Sequence, residues 1–175
     1  MELFEALEKK RACRTFSADP VPESSIERVI YAFGRAPTAS NRPYRHCILI
    51  DDPRLIRAVR LISPSLVANP PVLLIIFTDL KVALDWTGKV AEISSLVDSG
   101  AAGENVLLAA TALGLGSQFT MISVQAGIRR ILDLPDHCRV DVIIPLGLPE
   151  GPVRSVKAPA SANLCYHHQF GQLRE

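Results

Sequence analysis

The sequence predicts one globular domain in which several helices surround a few short strands, and three observations point to it. The chain of 175 residues has the length of a single domain, and no repeat or linker divides it. Val72-Leu73-Leu74-Ile75-Ile76-Phe77 is apolar at every position, the pattern of a strand covered on both faces. Residues 94–113 form a long stretch nearly free of charge and rich in glycine and alanine. Such a segment suits a helix buried all round, and in a chain this short it points to burial against a second subunit.

The remaining elements follow in order. Leu3, Phe4 and Leu7 among acids and lysines predict an amphipathic helix over 2–11. Asp19-Pro20-Val21-Pro22 excludes continuation of that helix. A second helix opens at Pro22-Glu23-Ser24-Ser25, with Ile26, Val29, Ile30 and Phe33 on one face and Gly34 and Pro37 at its end. Residues 37–44 read as a polar loop, His46–Ile50 as a strand and Pro53–Ile62 as a helix. Residues 80–92 carry no clear period. Gly114 and Gly116 stop the long helix, Gln118–Ile122 suits a strand, and Val124–Leu132 suits a helix capped by Ser123. Val140–Leu146 is a further strand. From 150 to 175 there is little periodicity, and such a tail needs a surface to lie on, which a partner subunit can provide.

Composition narrows the function. Apolar residues make up 48% of the chain and charged residues 21%, as in ordinary globular proteins. A net charge of +1 gives no global attraction to nucleic acid or to an acidic membrane. Cys13, Cys47, Cys138 and Cys165 are scattered and form no CxxC pair, which suits reduced thiols. The N-terminus lacks a basic region followed by an apolar stretch, and no apolar run is long enough to span a bilayer. A cytoplasmic protein is the expectation.

Four groups of residues bear on chemistry. Lys9, Lys10, Arg11 and Arg14 follow the first helix. In an extended segment residues 10, 12 and 14 share one side, so Lys10 and Arg14 can grip one anion; a solvated helix end rich in cations is the competing reading. Thr38, Ser40 and Asn41 offer short polar groups that suit a flat heterocycle or an ordinary turn. Gly114-Leu115-Gly116-Ser117 is not a dinucleotide fingerprint, because it closes a helix instead of opening one. Backbone amides within 116–122 can still face a ligand. Cys165-Tyr166-His167-His168 matches no zinc spacing, and no metal site or catalytic nucleophile is expected.

Taken in order, these pieces resemble the nitroreductase family. The basic motif R-R-S-x-R-x-F corresponds to Lys10-Arg11-Ala12-Cys13-Arg14-Thr15-Phe16, followed by Pro20-Val21-Pro22. The loop A-P-S-x-x-N-x-Q-P-W corresponds to Ala36-Pro37-Thr38-Ala39-Ser40-Asn41-Arg42-Pro43-Tyr44, one residue shorter. The helix beginning D-x-G-A-A and ending A-A-x-x-L-G-L-G corresponds to Asp98-Ser99-Gly100-Ala101-Ala102 through Leu113-Gly114-Leu115-Gly116. Ile131-Leu132-Asp133-Leu134-Pro135 and the strand ending Leu146-Gly147-Leu148-Pro149 also agree. The shortfall against larger relatives falls in 80–95, where those relatives cover the active site.

The resemblance implies an α+β fold with a mainly antiparallel sheet flanked by helices, in an intertwined homodimer. It implies one FMN-binding domain over 1–175, with 150–175 packed as an extended tail on the partner subunit. Phosphate-binding cations fall on Lys10 and Arg14, with Arg11 adjacent, and on Lys157. Pro37, Thr38, Ala39 and Ser40 would meet the flavin from the other subunit, with Asn41 nearby, and backbone at Thr120 and Met121 would approach flavin N5. The family's motif serine is Ala12 here, which removes one phosphate hydrogen bond. The implied activity is electron transfer from NADH or NADPH through the flavin to a nitroaromatic, quinone or similar small acceptor, by a ping-pong mechanism. The alternatives are a flavin-binding protein without turnover, or a same-fold enzyme acting on reduced flavin, halogenated aromatics or heterocycles.

Overall fold

A computed structural model describes residues 1–122, 124–151 and 165–172. Four antiparallel strands form one sheet in the order β1-β2-β4-β3, where β1 is Arg45–Ile50, β2 Val72–Asp79, β3 Gly116–Ser117 and β4 Cys138–Gly147. The helices are α1 (Leu3–Lys9), α2 (Glu23–Gly34), α3 (Pro53–Leu61), α4 (Leu80–Thr87), α5 (Ala91–Ala112) and α6 (Gln125–Ile131).

Alternation along the two central strands builds a layer on each face of the sheet. Val72, Leu74 and Ile76 of β2, with Val142, Ile144 and Leu146 of β4, pack against Val29 and Phe33 of α2 and Ala102, Val106 and Ala110 of α5. Leu73 and Ile75, with Val140 and Ile143, turn to the opposite face against Ile56 and Val59 of α3 and Ile128 of α6. A strand with a helical layer on each side must be apolar at every position, which is why β2 reads as it does.

The alternation of β4 is interrupted by a bulge. Ile76 pairs with Val142 and Phe77 with Val140, leaving Asp141 as the extra residue. Asp141 turns to α5, where its carboxylate accepts from the hydroxyls of Thr78 and Ser99, each at 2.6 Å, and from Arg139 Nε at 2.5 Å. The buried carboxylate is thereby satisfied and ties α5 to the middle of the sheet.

Local chemistry sets the helix ends. The Asp52 side chain accepts from Arg54 N–H, with Pro53 in the first turn of α3. The Asp79 side chain accepts from Val82 N–H and starts α4 directly after β2, and Gly88, at φ +61°, ends it. The segment without a clear period, 80–92, is thus α4, a 3-10 turn at Gly88–Val90 and the first residues of α5. Its helix is short, so the period had little length in which to show.

Two further expectations are corrected. Gln118–Ile122 is not a strand; β3 is limited to Gly116–Ser117, and Thr120 makes a separate antiparallel bridge to Ile143. Val124 stands at the N-cap of α6, and Ser123 lies outside the described residues. Within one chain Ala102, Val106 and Ala110 of α5 are covered and Ile93, Leu96 and Val97 are exposed, the face left for the expected second subunit. Among the described residues no helix is long and apolar enough to cross a membrane. Most of the tail, including Arg154 and Lys157, lies outside the described residues.

Candidate functional site

The basic segment after α1 is extended and lies along the end of the sheet. Ala12 forms a parallel bridge with Ser117, and Cys13 N–H donates to Ser117 O at 2.9 Å. Cys13 turns inward and is buried, while Ala12 and Arg14 are exposed, as alternation requires. Gly116 makes the close approach possible: a Cβ there would stand 2.5 Å from Cys13 Sγ. The Cys13 thiol donates to Thr15 O at 3.1 Å, and burial pushes its pKa up, so it is held as a neutral thiol of low reactivity.

The three cations of this segment differ in their commitments. Arg11 Nη1 donates to the carbonyls of Glu8 and Lys10, each at 2.7 Å, and so closes the C-terminal end of α1. Lys10 Nζ lies 3.1 Å from a Glu104 carboxylate oxygen on α5. The exposed Arg14 makes no ion pair among the described residues.

Beyond β3 the chain runs to Thr120 and Met121. Thr120 and Ile143 exchange both backbone hydrogen bonds at 3.0 Å. Thr120 is 2% exposed, and its hydroxyl has no hydrogen-bond partner among the described residues. A buried hydroxyl without a partner is costly and suits a site completed by a polar ligand. Met121 is exposed, and its carbonyl accepts from the Ser65 hydroxyl at 2.9 Å.

The loop of Pro37, Thr38, Ala39, Ser40 and Asn41 is built separately, on the N-terminal half of α5. Ala39–Asn41 is a 3-10 turn ending on Asn41 at φ +53°. Ala39 N–H donates to Asp98 Oδ2 at 2.9 Å, and the Tyr44 hydroxyl donates to the same oxygen. The Arg45 guanidinium, partly buried over the Phe33 ring, donates to the carbonyls of Phe33, Ala36, Pro37 and Asp98. Five backbone groups and one phenol are thus fixed by one carboxylate and one guanidinium. Burial lowers the Arg45 pKa, with the Asp98 charge opposing that shift. Asp98 and Glu104 lie on the same helix, about 9 Å apart along its axis and about 120° apart around it.

Sequence reading did not identify Asp98, Tyr44 and Arg45 as a clasp on this loop. Its one visible signal is Asp98, an acid within an otherwise almost uncharged helical run. Burial, and then the bond to Asp98, push the Tyr44 pKa from 10.0 to about 12. The folded protein therefore keeps the phenolic proton at pH values where the unfolded chain loses it. Its contribution to stability is complete below pH 10 and is lost as pH rises toward 12. Tyr44→Phe is expected to flatten the decline of melting temperature across that window, measured by circular dichroism. An unchanged decline overturns the assignment.

Comparison with known proteins completes the picture. A family model described as the Nitroreductase family matches residues 7–69 and 59–148. An NADH dehydrogenase of Thermus thermophilus is 28% identical over 178 residues, covering 81% of this chain and 83% of its own. An FMN-dependent nitroreductase of Clostridium difficile has the same fold at a TM-score of 0.81 and 20% identity, covering 95% of this chain and 99% of its own. The NADPH:FMN oxidoreductase of Vibrio harveyi, solved with NAD+, superposes at a TM-score of 0.83 and 22% identity over 98% of this chain and 79% of its own. The matched segments take in the basic segment, the clasped loop, all of α5 and the whole sheet, so the chain belongs to the nitroreductase family.

Proposed function

We propose that this protein is an FMN-dependent oxidoreductase that oxidises NADH or NADPH and reduces a small organic acceptor, a nitroaromatic or quinone, in ping-pong order. The observation that carries the reading is the joining of the basic segment to the sheet end. The Ala12–Ser117 bridge brings Lys10 and Arg14 alongside β3, from which the chain runs on to Thr120, whose hydroxyl has no partner among the described residues. A phosphorylated polar heterocycle needs both kinds of group: cations for the phosphate and hydrogen-bonding groups for the ring. FMN fits these residues, and when bound it supplies the two-electron chemistry that no side chain here provides.

In this reading Lys10 and Arg14 hold the phosphate and stabilise negative charge on the ring system, with Lys157 as a further cation. Arg11 keeps α1 closed, so that the basic segment leaves it in a fixed direction. Thr120 and the Met121 backbone orient the ring edge. The loop Pro37–Asn41 serves the site of a second subunit, with two FMN sites at the subunit interface of a symmetric homodimer. Residues 1–175 act as one domain, with the tail 150–175 on the partner. The open apolar face of α5 supports the dimer. Unpaired Cys13, Cys47, Cys138 and Cys165 support a cytoplasmic location.

The test is the visible spectrum of the purified protein, before and after anaerobic NADH and NADPH, with the released flavin identified. FMN bleached by either donor supports the reading. FMN that neither donor bleaches indicates a flavin-binding protein without turnover, and failure to take up FMN overturns the cofactor assignment. Arg14→Ala is expected to weaken FMN binding by about tenfold or more, as loss of a charge-assisted contact does, measured by quenching of flavin fluorescence. Unchanged affinity removes Arg14 from the site.

A further inference from the structure

We infer that Arg42 and Trp86 form a recognition pair for planar aromatic acceptors that carry a carboxylate, an inference resting on the loop assignment proposed above. The Arg42 guanidinium carbon lies 3.4 Å from the centroid of the Trp86 ring. Arg42 directly follows the turn Ala39–Asn41, and Trp86 lies in the last turn of α4. The pair thus joins the proposed flavin loop to the one short helix in the region where larger relatives carry a cover.

Both members stand on firm supports. Two residues beyond Arg42, Tyr44 is buried and bonded to Asp98. Three residues before Trp86, Ala83 is fully buried, in one cluster with Tyr44 and Ala91. The geometry at Arg42 and Trp86 is thereby set by the core on both sides.

Among the described residues no acid pairs with the charge of Arg42. Stacking on an indole uses the face of the guanidinium and leaves its N–H groups in the plane for an anion. Among the described residues Arg42 makes no ion pair, and its Nε is buried without a hydrogen-bond partner, so an anion meets the terminal Nη groups. Asp85, the acid beside Trp86, lies beyond ion-pair reach of it. Trp86 is 54% exposed and so has surface left for a second flat ring. The fork covers one indole face, so a flat ring packed against the exposed indole rim can set its carboxylate in the plane of the guanidinium. The glutamine of the family motif, Q-P-W, would supply one neutral amide at this place; Arg42 supplies a charge.

Trp86 is the only tryptophan in the chain, so its fluorescence reports on this pair alone. The experiment titrates 4-nitrobenzoate and 4-nitrobenzamide, a neutral isostere, into the FMN-loaded protein and reads saturable quenching of Trp86 by lifetime. The carboxylate is expected to bind about fivefold tighter than the amide, with the preference falling as salt is added. Arg42→Gln is expected to bring the two probes to equal affinity, and Arg42→Lys to restore part of the preference. Acceptor kinetics should follow, with the carboxylate's KM rising in Arg42→Gln while that of the amide stays. Equal binding of the two probes by the unsubstituted protein overturns the inference. So does a parallel loss of both in Arg42→Gln, which would make Arg42 a support for the loop. FMN uptake is scored separately: its failure overturns the functional reading, whereas equal probe binding by a protein that takes up FMN overturns the acceptor assignment alone.

Discussion

Asp98→Ala is expected to destabilise the protein by about 2–4 kcal/mol, the cost of leaving one buried and one part-buried donor without their charged acceptor. The melting temperature should fall by roughly 10 °C for a chain of this length. Ala39 N–H and the Tyr44 hydroxyl both donate to Asp98 Oδ2, and Asp98 is only 9% exposed, so water cannot readily replace the carboxylate. Asp98→Asn sharpens the test. Both bonds end on one oxygen, and an asparagine with its carbonyl turned the same way keeps them, losing only the charge. Its expected cost is about 1 kcal/mol. Thermal denaturation followed by circular dichroism ranks the two substitutions. Equal and small losses would show that the clasp does not hold the loop. The same comparison reaches function: if Pro37–Asn41 lines the flavin site, Asp98→Ala should weaken FMN binding in the protein that stays folded, and Asp98→Asn should largely retain it.

The contrast between this clasp and the sheet shows what a single sequence discloses. β2 was legible because Val72 to Ile76 are all buried, alternately on one face of the sheet and the other, and an unbroken apolar run states that requirement without ambiguity. The end of α5 was legible because Gly114 sits at φ +76°, a conformation that calls for glycine. The bulge at Asp141 was not, since an acid in an apolar strand acquires meaning only when Thr78, Ser99 and Arg139 converge on it from three places in the chain. The site divides in the same way. Lys10 and Arg14 announce themselves by charge and spacing within five residues. Asp98 acts through partners 53 to 59 residues distant, and Arg45 through backbone carbonyls, which carry no side-chain signature. Arg42 was visible as a departure from the family motif, but its partner was not, because nothing local ties it to Trp86. Residues 80–92 hid α4 for a simpler reason: eight residues give little more than two turns.

The exposed face of α5 carries the second large effect. Val90 just before α5 and Ile93, Leu96 and Val97 in its first half recur at helical spacing and are all exposed, Ile93 at 72%. α1 packs on the same helix and leaves Leu3, Phe4 and Leu7 open as well. An apolar surface of this kind is stable in water when a second copy covers it, and a two-fold interface places each residue there twice. Ile93→Asp would therefore bring two carboxylates into one interface, each losing water without gaining a partner. The unsubstituted protein is expected to sediment as a dimer at micromolar concentration, and Ile93→Asp as a monomer. Sedimentation velocity with flavin absorbance detection adds the decisive reading. If the loop Pro37–Asn41 of one subunit and the Lys10–Arg14 segment of the other serve one site, as proposed, the monomer should sediment without FMN, although none of those residues has been altered. A monomer that retains FMN at full occupancy would place the whole site within one chain and remove the loop's role at a second subunit. A variant that remains dimeric would move the interface away from this face of α5.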